Sequence, residues 1–396
     1  LFVSLFLNLG LLSFFKYYNF FIESANQAFG GFGMNLSTLN IILPVGISFY
    51  TFQSMSYSID IYQSKLKPTD NKLDFFIFVS FFPQLVAGPI VRAIDFLPQL
   101  KKDIRITYKN LSIGYQIFIY GLIKKVLIAD NLGLFIDEIF ISPNLYDSPT
   151  IWLSIIAYSI QIFCDFSGYS DMAIGIARIL GFKLPMNFNM PYTSINLAEF
   201  WNRWHISLSS WFRDYVYIPL FSRIDDDDII NQTKKYKVKD IQYTVITFLV
   251  SGLWHGASWN FVFWGLIHGL GLVIHKGYRY LFKSSNARIF NVFSWLITYI
   301  SVCLAWVFFR AQDFNQSIII LKKIFIYEDG IRWFYTPILY IIPIFALSHL
   351  IGKICKKEYV IFDLKSFQGA FVFIFTLMCI FFLASNNHNP FIYFQF

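Results

Sequence analysis

Charged residues are scarce in this sequence. Asp, Glu, Lys and Arg make up 14% of its 396 residues, whereas soluble domains contain about 25%. Hydrophobic residues make up 56% of the chain, and they form continuous runs instead of the alternating pattern of a membrane β-barrel strand. The scarcity of charge excludes a soluble globular protein. We therefore predict an all-α polytopic membrane protein.

Several chemical signatures are also missing. The four cysteines are widely spaced and form neither a CxxC motif nor a Cys/His ligand pattern, so we expect no structural disulfide and no zinc or other metal site. Phosphate-binding glycine loops, internal repeats and a nucleophile elbow are missing as well. The net charge of +8 comes from lysines and arginines clustered at the ends of apolar runs. Such clusters indicate membrane topology and no binding of nucleic acid.

Nine apolar runs are candidates for membrane segments: 1–22, 39–59, 75–90, 113–128, 151–162, 245–274, 294–309, 338–350 and 371–383. A helical span needs about 20 apolar residues, so the shorter runs predict tilted or re-entrant pieces. We expect roughly nine to eleven membrane segments in all. The chain starts at Leu1 without a charged leader segment, and we expect that it lacks earlier helices of a longer protein.

The longest polar stretch lies at 223–240, where four consecutive aspartates precede four lysines. A charge run of this kind is usually solvated, so we predict a charged solvent loop. The aspartates lack the spaced ligand pattern of a calcium loop, which argues against a metal site. We predict one membrane-embedded domain over residues 1–396, which ends in an aromatic tail at 391–396.

His255 lies inside the apolar run 245–274, which contains no Asp, Glu, Lys or Arg. An ionisable side chain at membrane depth is costly and usually functional, and histidine is well suited to transfer protons near neutral pH. We therefore predict that His255 is a general base that activates a hydroxyl for attack on an acyl carbonyl. The alternative is a hydrogen-bonded packing histidine, because Gly252 and Gly256 by themselves indicate only close helix packing.

Polar residues also crowd into an aromatic context between residues 161 and 220. Pro185 and Pro191 break helicity there. Irregular backbone at membrane depth is tolerated only where it is buried in protein or lines an aqueous cavity. We therefore expect this region to form the wall of a water-filled funnel. Residues 199–215 have a helical period with an aromatic stripe, which also fits an interfacial amphipathic helix.

The remaining histidines carry weaker predictions. On one straight helix His268 would point about 140° away from His255, so we predict a structural role for it. His275 and His349 lie near basic segment ends and are predicted to be interfacial. His388 is predicted to lie in a loop.

Long motifs distinguish the chain further. They lie at 46–53, 82–83, 87–92, 168–175, 187–188, 191–192, 200–209, 213–215, 217–220 and 252–256. They include Trp201-Asn202-Arg203-Trp204-His205 and Leu253-Trp254-His255-Gly256. With these motifs the chain resembles the membrane-bound O-acyltransferase (MBOAT) family, in the bacterial polysaccharide O-acetylation branch of alginate and peptidoglycan acetyltransferases.

The resemblance implies a ring of many helices around a central funnel or tunnel, with short tilted or re-entrant helices. The family's two histidines fall on His255 and His205. The resemblance implies no tightly bound cofactor, acetyl-CoA as the acyl donor, and a separate extracytoplasmic SGNH or esterase-like O-acetyltransferase that modifies the glycan. A related branch exports D-alanine from a carrier-protein thioester. The family commonly continues with Gly-Gly and a basic residue after the motif at 217–220, whereas this chain has Phe221-Ser222-Arg223.

The C-terminal residues 391–396 have the pattern Phe-x-Tyr-x-x-Phe. They resemble the tail of the small membrane peptide that accompanies the D-alanine exporters. One interpretation is an interfacial aromatic anchor. The other is a relay, in which the phenol of Tyr393 receives the acyl group with His255 as base, so that the thioester itself never crosses the membrane.

The predicted function is an O-acetyltransferase of the bacterial inner membrane, multi-pass and in contact with lipid, with peptidoglycan favoured as the final acceptor. The alternatives are alginate O-acetylation, D-alanyl export to teichoic acid, and a non-enzymatic channel or transporter. The predicted catalytic residues are His255, His205 and Tyr393. The predicted substrate-binding and donor-binding residues are Trp201, Asn202, Arg203, Trp254 and Asp165.

Overall fold

The computed structural model describes residues 1–33, 35–85, 88–231, 233–281, 288–356, 359–384 and 390–392, with the backbone alone at 281, 288 and 289. The structure is 75% helical, and no strand forms within these residues. A single parallel bridge pairs Tyr146 with Ile331. The prediction of an all-α polytopic membrane protein is therefore confirmed.

The α-helices of the described residues are α1 (Phe2–Leu12), α2 (Tyr18–Phe29), α3 (Ile47–Tyr62), α4 (Lys72–Ser80), α5 (Phe82–Leu85), α6 (Ala93–Leu100), α7 (Tyr108–Leu122), α8 (Asp130–Ile141), α9 (Ser148–Ile179), α10 (Leu197–Trp201), α11 (Ile206–Phe212), α12 (Ile218–Phe221), α13 (Asp226–Ile230), α14 (Lys234–His255), α15 (Trp259–Leu281), α16 (Arg288–Arg310), α17 (Phe314–Phe325), α18 (Ile338–Cys355) and α19 (Phe367–Leu383). They are joined in places by π-helical turns at Ser13–Tyr17, Ile123–Ala129 and Arg213–Tyr217, and by 3₁₀ turns at Gly30–Phe32, Pro143–Leu145 and Pro191–Thr193.

Five helical stretches of the described residues are long and apolar enough to cross a membrane: Phe2–Phe32, Tyr108–Ile141, Ser148–Ile179, Phe290–Arg310 and Ile338–Cys355. A shorter apolar helix spans Phe367–Leu383. These are fewer than the nine to eleven segments predicted. The difference arises because several apolar runs do not form one helix each. The run 75–90 is divided at the end of α4, and the run 245–274 is divided between α14 and α15.

The 32-residue helix α9 lies at the centre of the structure and is buried along most of its length. Asp147 caps its start by accepting a hydrogen bond from the backbone N–H of Thr150 at 3.0 Å. Its main neighbour is α7, and glycines permit the close approach: a Cβ atom on Gly114 would lie 2.7 Å from the carbonyl oxygen of Gly175. The irregular backbone expected from residue 161 onward is wrong for 161–179, which are helical.

Helices α14 and α15 form a tight antiparallel hairpin. A Cβ atom on Gly252 would overlap the carbonyl oxygen of Phe261 and lie 3.3 Å from the Cα atom of Gly265. The role of Gly252 in close helix packing is therefore confirmed. Helix α14 already begins at Lys234, after Thr233 caps it by accepting from the N–H of Tyr236 at 3.2 Å. The predicted solvent loop at 223–240 is wrong over most of its length, because α13 and the start of α14 occupy it.

Residues 182–190 form no regular secondary structure, as the helix-breaking residues Pro185 and Pro191 predicted. The segment is buried at Asn187 and Phe188, which pack against α9 and the 200–205 turn. Its backbone joins that turn, because Asn189 N–H donates to the carbonyl of Arg203 at 2.9 Å and Ile206 N–H donates to the carbonyl of Asn187 at 2.9 Å. This irregular segment therefore brings an amide side chain to the interior beside His205.

Candidate active site

His255 is the last residue of α14, and 4% of its surface is exposed. Its imidazole lies against the rings of Trp254, Trp264 and Phe309, with centroid distances of 5.0, 4.8 and 5.2 Å. The helix ends there because Gly256 is extended (φ −165°, ψ 153°), and α15 starts three residues later. The predicted general base is thus enclosed by aromatic side chains at a helix terminus.

The N-terminal segment caps this helix end. The ammonium of Lys16 donates to the carbonyl oxygens of Trp254 at 2.7 Å and of His255 at 3.1 Å. The hydroxyl of Tyr17 donates to the carbonyl of Leu253 at 2.7 Å. Terminal carbonyls of a helix have no partner within the helix, and a cation is favourable there. Lys16 and Tyr17 therefore stabilise the backbone that carries His255. Sequence analysis did not identify them, although Lys16 is the one charged residue of the run 1–22 and this was a usable signal.

His205 lies in a sharp backbone turn between α10 and α11. Its φ of +43° is in the left-handed region, which a non-glycine residue rarely adopts. The helix predicted over 199–215 is therefore wrong at this point: α10 ends at Trp201 and α11 begins at Ile206. The turn places the imidazole inside the protein with 0% exposure, edge-on to the ring of Phe166 at a centroid distance of 4.6 Å.

Asn187 fixes the tautomer of His205. The side-chain oxygen of Asn187 accepts hydrogen bonds from the backbone N–H of Ser207 at 3.2 Å and from its hydroxyl at 2.8 Å. The same oxygen lies 3.1 Å from His205 Nδ1. Because this amide oxygen is an acceptor, a neutral His205 carries its proton on Nδ1 and directs its lone pair from Nε2. Ser207 extends the network by accepting from Ile90 N–H at 2.9 Å.

Trp254 lies between the two histidines. Its indole is 6.2 Å from the ring of His205 and 5.0 Å from the ring of His255, as measured between centroids. Phe52 stacks against the indole at 5.4 Å and 29° and holds its orientation. The structure therefore brings the two predicted catalytic histidines to one aromatic site, with Trp254 as their shared neighbour.

Buried indole N–H groups lie in the aromatic cluster of His255, where Trp254 and Trp264 contact its ring and Trp201 contacts Trp264. The Nε1 atoms of Trp201, Trp254 and Trp264 have no hydrogen-bond partner among the described residues. A buried donor without a partner costs roughly 1–3 kcal/mol, and such groups in a native protein call for an explanation. Donors prepared for negative charge that develops during a reaction are one such explanation. These indoles are therefore candidates for stabilising an oxyanion.

His268 belongs to the same aromatic cluster. Its ring lies 4.8 Å from that of Trp264 and 5.0 Å from that of Trp201, between centroids. Trp264 also contacts His255. The chain reverses between α14 and α15, so His268 lies on the same side as His255, where a single straight helix would not have placed it. Both of its ring nitrogens are buried without a hydrogen-bond partner among the described residues. The predicted structural role remains a prediction.

A cavity of about 380 Å³ lies between the turn of α10 and α11 on one side and α14 and α15 on the other. Trp201, Ile206 and Ser251 are on its lining; Ile206 follows His205 directly and Ser251 precedes His255 by one helical turn, while the two histidines themselves do not line it. Lys276 lies elsewhere on the same cavity and donates to Asp240 at 2.8 Å. Its size is within the usual range for small-molecule sites, about 300–1,000 Å³.

Two of the predicted binding residues have different surroundings. Asn202 is exposed and lines this cavity together with Trp201. Arg203 points elsewhere: it pairs with Glu199 at 2.9 Å and donates to the carbonyl of Asn189 at 3.2 Å. These contacts hold the turn before His205, and Arg203 does not line the cavity. Trp201 and Trp254 both contact the aromatic cluster, as expected for residues that shape the site.

Asp165 lies away from the cavity, in the interior of α9, with 1% exposure. One of its oxygens pairs with Lys125 at 2.6 Å, and the other accepts from the backbone N–H of Ile392 at 2.8 Å. Asp165 thus contacts the C-terminal segment and does not line this cavity, and the donor-binding role predicted for it stays a prediction. Tyr393 lies outside the described residues.

Comparison with known proteins identifies the family. The model of the membrane-bound O-acyltransferase family matches residues 70–315, which include His205 and His255. The chain belongs to the membrane-bound O-acyltransferase family. The resemblance seen in the sequence motifs is thereby confirmed.

The relatives of this MBOAT chain include proteins with different acyl groups and acceptors. It is 39% identical over 348 residues to the peptidoglycan O-acetyltransferase of Helicobacter pylori, covering 81% of this chain and 64% of the relative. It is 41% identical over 314 residues to the probable alginate O-acetylase AlgI of Pseudomonas aeruginosa, covering 78% of this chain and 57% of the relative. It is 31% identical over 289 residues to the teichoic acid D-alanyltransferase of Bacillus subtilis, covering 70% of this chain and 71% of the relative. The chain thus spans less than two thirds of the length of the two acetylating relatives.

Proposed function

We propose that the protein is an O-acyltransferase that takes an acetyl group from cytoplasmic acetyl-CoA and passes it across the bacterial inner membrane for O-acetylation of a cell-wall or secreted polysaccharide. The observation that carries the proposal is the pair of buried imidazoles, His205 and His255, on either side of Trp254 in a chain of this family. The names of the acetylating relatives support acetyl as the acyl group.

The proposed chemistry begins with a hydroxyl held near His255. The hydroxyl oxygen attacks the thioester carbonyl while neutral His255 takes its proton, which contributes roughly 10²–10⁴ in rate. A buried indole N–H, with Trp254 as the first candidate, stabilises the oxyanion. The C–S bond then breaks, the new C–O bond remains, and the CoA thiolate receives the proton from His255. In this scheme His205, held by Asn187, orients the reacting groups or assists the proton transfer.

The acetyl donor is proposed to enter the cavity of about 380 Å³. Its lining is largely apolar near Phe248 and Leu272 and suits the pantetheine arm, and it includes Ile206 and Ser251, the first next to His205 in sequence and the second one helical turn before His255. Asn202, on the same lining, is the proposed polar contact to the donor. Trp201 and Trp254 set the shape of the site, and Arg203 supports it through Glu199.

Tyr393 is proposed as the first acceptor of the acetyl group. The residues just before it are buried in the protein, since Phe391 and Ile392 have 4% and 7% exposure. Phe391 lies 5.8 Å from Phe166, between ring centroids, and Phe166 is the ring that contacts His205. Phe391 therefore lies one aromatic ring away from His205, which supports a phenol ester on Tyr393 as the form in which the acetyl group crosses the membrane.

An extracytoplasmic SGNH or esterase-like transferase is the proposed partner that accepts the acetyl group from Tyr393 and modifies the glycan. Peptidoglycan is the proposed final acceptor, because a peptidoglycan O-acetyltransferase is 39% identical over 81% of this chain. Alginate is the second candidate, on the same kind of evidence from the AlgI relatives. The similarity to teichoic acid D-alanyltransferases makes D-alanine the alternative acyl group.

Donor identity is the first test of this function. Purified protein would be mixed with acetyl-CoA or, separately, with a D-alanyl carrier protein, and the release of free thiol would be followed. We expect a burst of about one equivalent of CoA from acetyl-CoA, lost in His255→Ala, and no release from the carrier protein. Release from the carrier protein alone would assign the chain to D-alanyl export. Release from neither donor would favour a channel or transporter.

A further inference from the structure

A socket of charged side chains lies next to the C-terminal segment, with two buried aspartates, Asp130 and Asp165, and three partly exposed charged residues. A small cavity there is lined by Gln161, Pro390, Ile392 and five charged residues, which are Lys125, Asp130, Asp137, Asp165 and Arg310. Arg310 pairs with Asp137 at 2.6 Å, and Lys125 pairs with Asp130 at 2.8 Å. Buried charges are expensive unless they are paired, so the two buried aspartates, Asp130 and Asp165, need a reason to be retained.

The two carboxylate oxygens of Asp165 bind different partners, one in the helical core and one in the C-terminal segment. Oδ1 lies 2.6 Å from the ammonium of Lys125, and Oδ2 accepts from the backbone N–H of Ile392 at 2.8 Å. A hydrogen bond to an ionised carboxylate is shorter and stronger than one between neutral groups. The buried carboxylate thus holds the tail at one defined backbone atom, immediately before residue 393.

The π-helical turn Ile123–Ala129 makes this arrangement available. Within it Lys124 pairs with Asp171 at 2.6 Å, while the next residue, Lys125, pairs with Asp165. Two adjacent lysines therefore reach carboxylates that lie six residues apart on α9. Single π-helical turns of this kind occur frequently at functional sites. Of the two carboxylates, Asp165 bonds the tail, whereas Asp171 accepts from the Tyr359 hydroxyl at 2.7 Å.

Packing confirms that the tail is seated in the protein interior. Phe391 lies 4.9 Å from the ring of Tyr169 and 5.8 Å from that of Phe166, between centroids. Both aromatic residues are on α9, within one turn of Asp165. The carboxylate and the aromatic pair therefore fix the positions of Phe391 and Ile392, and Phe391 packs on Phe166, the ring that also contacts His205.

We propose that Asp165 and Lys125 form a clamp that seats the C-terminal segment and sets the position of residue 393 relative to the two histidines. Asp165 is thus a positioning residue that acts through the backbone of Ile392 and does not touch the acyl donor. The consequence for catalysis rests on the proposed function of Tyr393 as acceptor. The binding of the C-terminal segment by Asp165 does not depend on that function of Tyr393, and it is measured separately.

Seating is tested by thiol labelling in the full chain. Ile392→Cys is introduced after Cys355 and Cys379 are replaced by Ser, and maleimide labelling at position 392 reports how often the tail leaves its socket. We expect Asp165→Leu to label about tenfold faster or more, because a charged hydrogen bond is lost. Asp165→Asn retains an acceptor for the N–H of Ile392, so its labelling rate should lie between those of the wild-type residue and Asp165→Leu. The matched control is Asp171→Leu, since Asp171 is a buried aspartate of the same helix with its own lysine. Equal labelling in Asp165→Leu and Asp171→Leu would overturn the clamp.

Acetylation provides the second measurement. In the chain with native Ile392, we expect Asp165→Leu to slow acetyl-adduct formation at least tenfold without changing the acetyl-CoA concentration that gives half the maximal rate, because the donor cavity is intact. Faster labelling with a parallel loss of rate supports the clamp. Faster labelling in a protein whose wild type never forms an adduct supports the clamp and overturns the relay on Tyr393. An unchanged adduct rate in Asp165→Leu would overturn the positioning role.

Discussion

The ammonium of Lys16 lies 2.7 Å from the carbonyl oxygen of Trp254 and 3.1 Å from that of His255. One N-terminal side chain therefore satisfies the end of the helix that carries the proposed base. The contact joins segments 239 residues apart in the chain. The location of His255 thus depends on packing between distant parts of the membrane domain, and this relationship leads to the first prediction.

Lys16→Met should reduce the rate of CoA release by roughly 10- to 100-fold, because two buried carbonyls lose their donor at a cost of about 1–3 kcal/mol each. Lys16→Arg, which retains the cation, should keep more activity than Lys16→Met. The control is Asn8→Ala on the same N-terminal segment, since Asn8 bonds only Ser4 among the described residues. Wild-type rates in Lys16→Met would show that the cap does not position His255.

Asn187→Ala should also lower activity by about tenfold or more, because His205 loses the acceptor that keeps its proton on Nδ1. Rates of CoA release in detergent would measure the effect. A second asparagine serves as the comparison: Asn202 is exposed on the cavity lining, and Asn202→Ala should mainly raise the acetyl-CoA concentration required. Equal effects of the two substitutions on the maximal rate would contradict the role given to Asn187.

The α14–α15 hairpin predicts a difference between two glycines. Gly252→Ala should lower the thermal unfolding temperature, because its Cβ would overlap the carbonyl of Phe261, and overpacking typically costs about 1–3 kcal/mol. A Cβ atom on Gly277, in α15, would meet open space, so Gly277→Ala should be neutral or stabilise the helix. Thermal unfolding of the two variants in one detergent provides the measurement. A larger loss in Gly277→Ala would show that the hairpin packs differently.

Much of this site was recognisable from the sequence, and the exceptions have physical causes. His255 was recognisable because a histidine in an uncharged apolar run is conspicuous. Its relation to His268 was not, because the chain reversal at Gly256 depends on packing against Phe261 and has no local helix-breaking proline. The turn at His205 could not be predicted either, because the periodic aromatic pattern of a helix continues across this residue although its backbone is left-handed.

Asp165 shows a different limit. Sequence analysis predicted a substrate-binding or donor-binding role for it, but the partner that it contacts is a backbone N–H at Ile392, 227 residues away. Backbone groups leave no signature in a sequence. The same holds for the carbonyls that Lys16 caps. Long-range contacts between a side chain and the main chain therefore account for most of what sequence analysis missed.

The donor cavity leads to a prediction on substrate binding. Thr247→Trp should fill part of the cavity of about 380 Å³ and raise the acetyl-CoA concentration that gives half the maximal rate by about tenfold or more. Ile342→Trp, in a separate cavity of about 530 Å³ between α9, α16 and α18, should leave that concentration unchanged. Unaltered acetyl-CoA dependence in Thr247→Trp would place the donor elsewhere.

The most direct test of the central claim is the intact mass of the purified protein after incubation with acetyl-CoA, for wild type, Tyr393→Phe and His255→Ala. One added acetyl group on the wild type, absent in both variants, is the predicted result. It would identify acetyl-CoA as donor, the tail tyrosine as acceptor and His255 as the residue required for transfer. An adduct of equal size on Tyr393→Phe would contradict the relay. An adduct on His255→Ala at the wild-type rate would contradict the role of His255 as base.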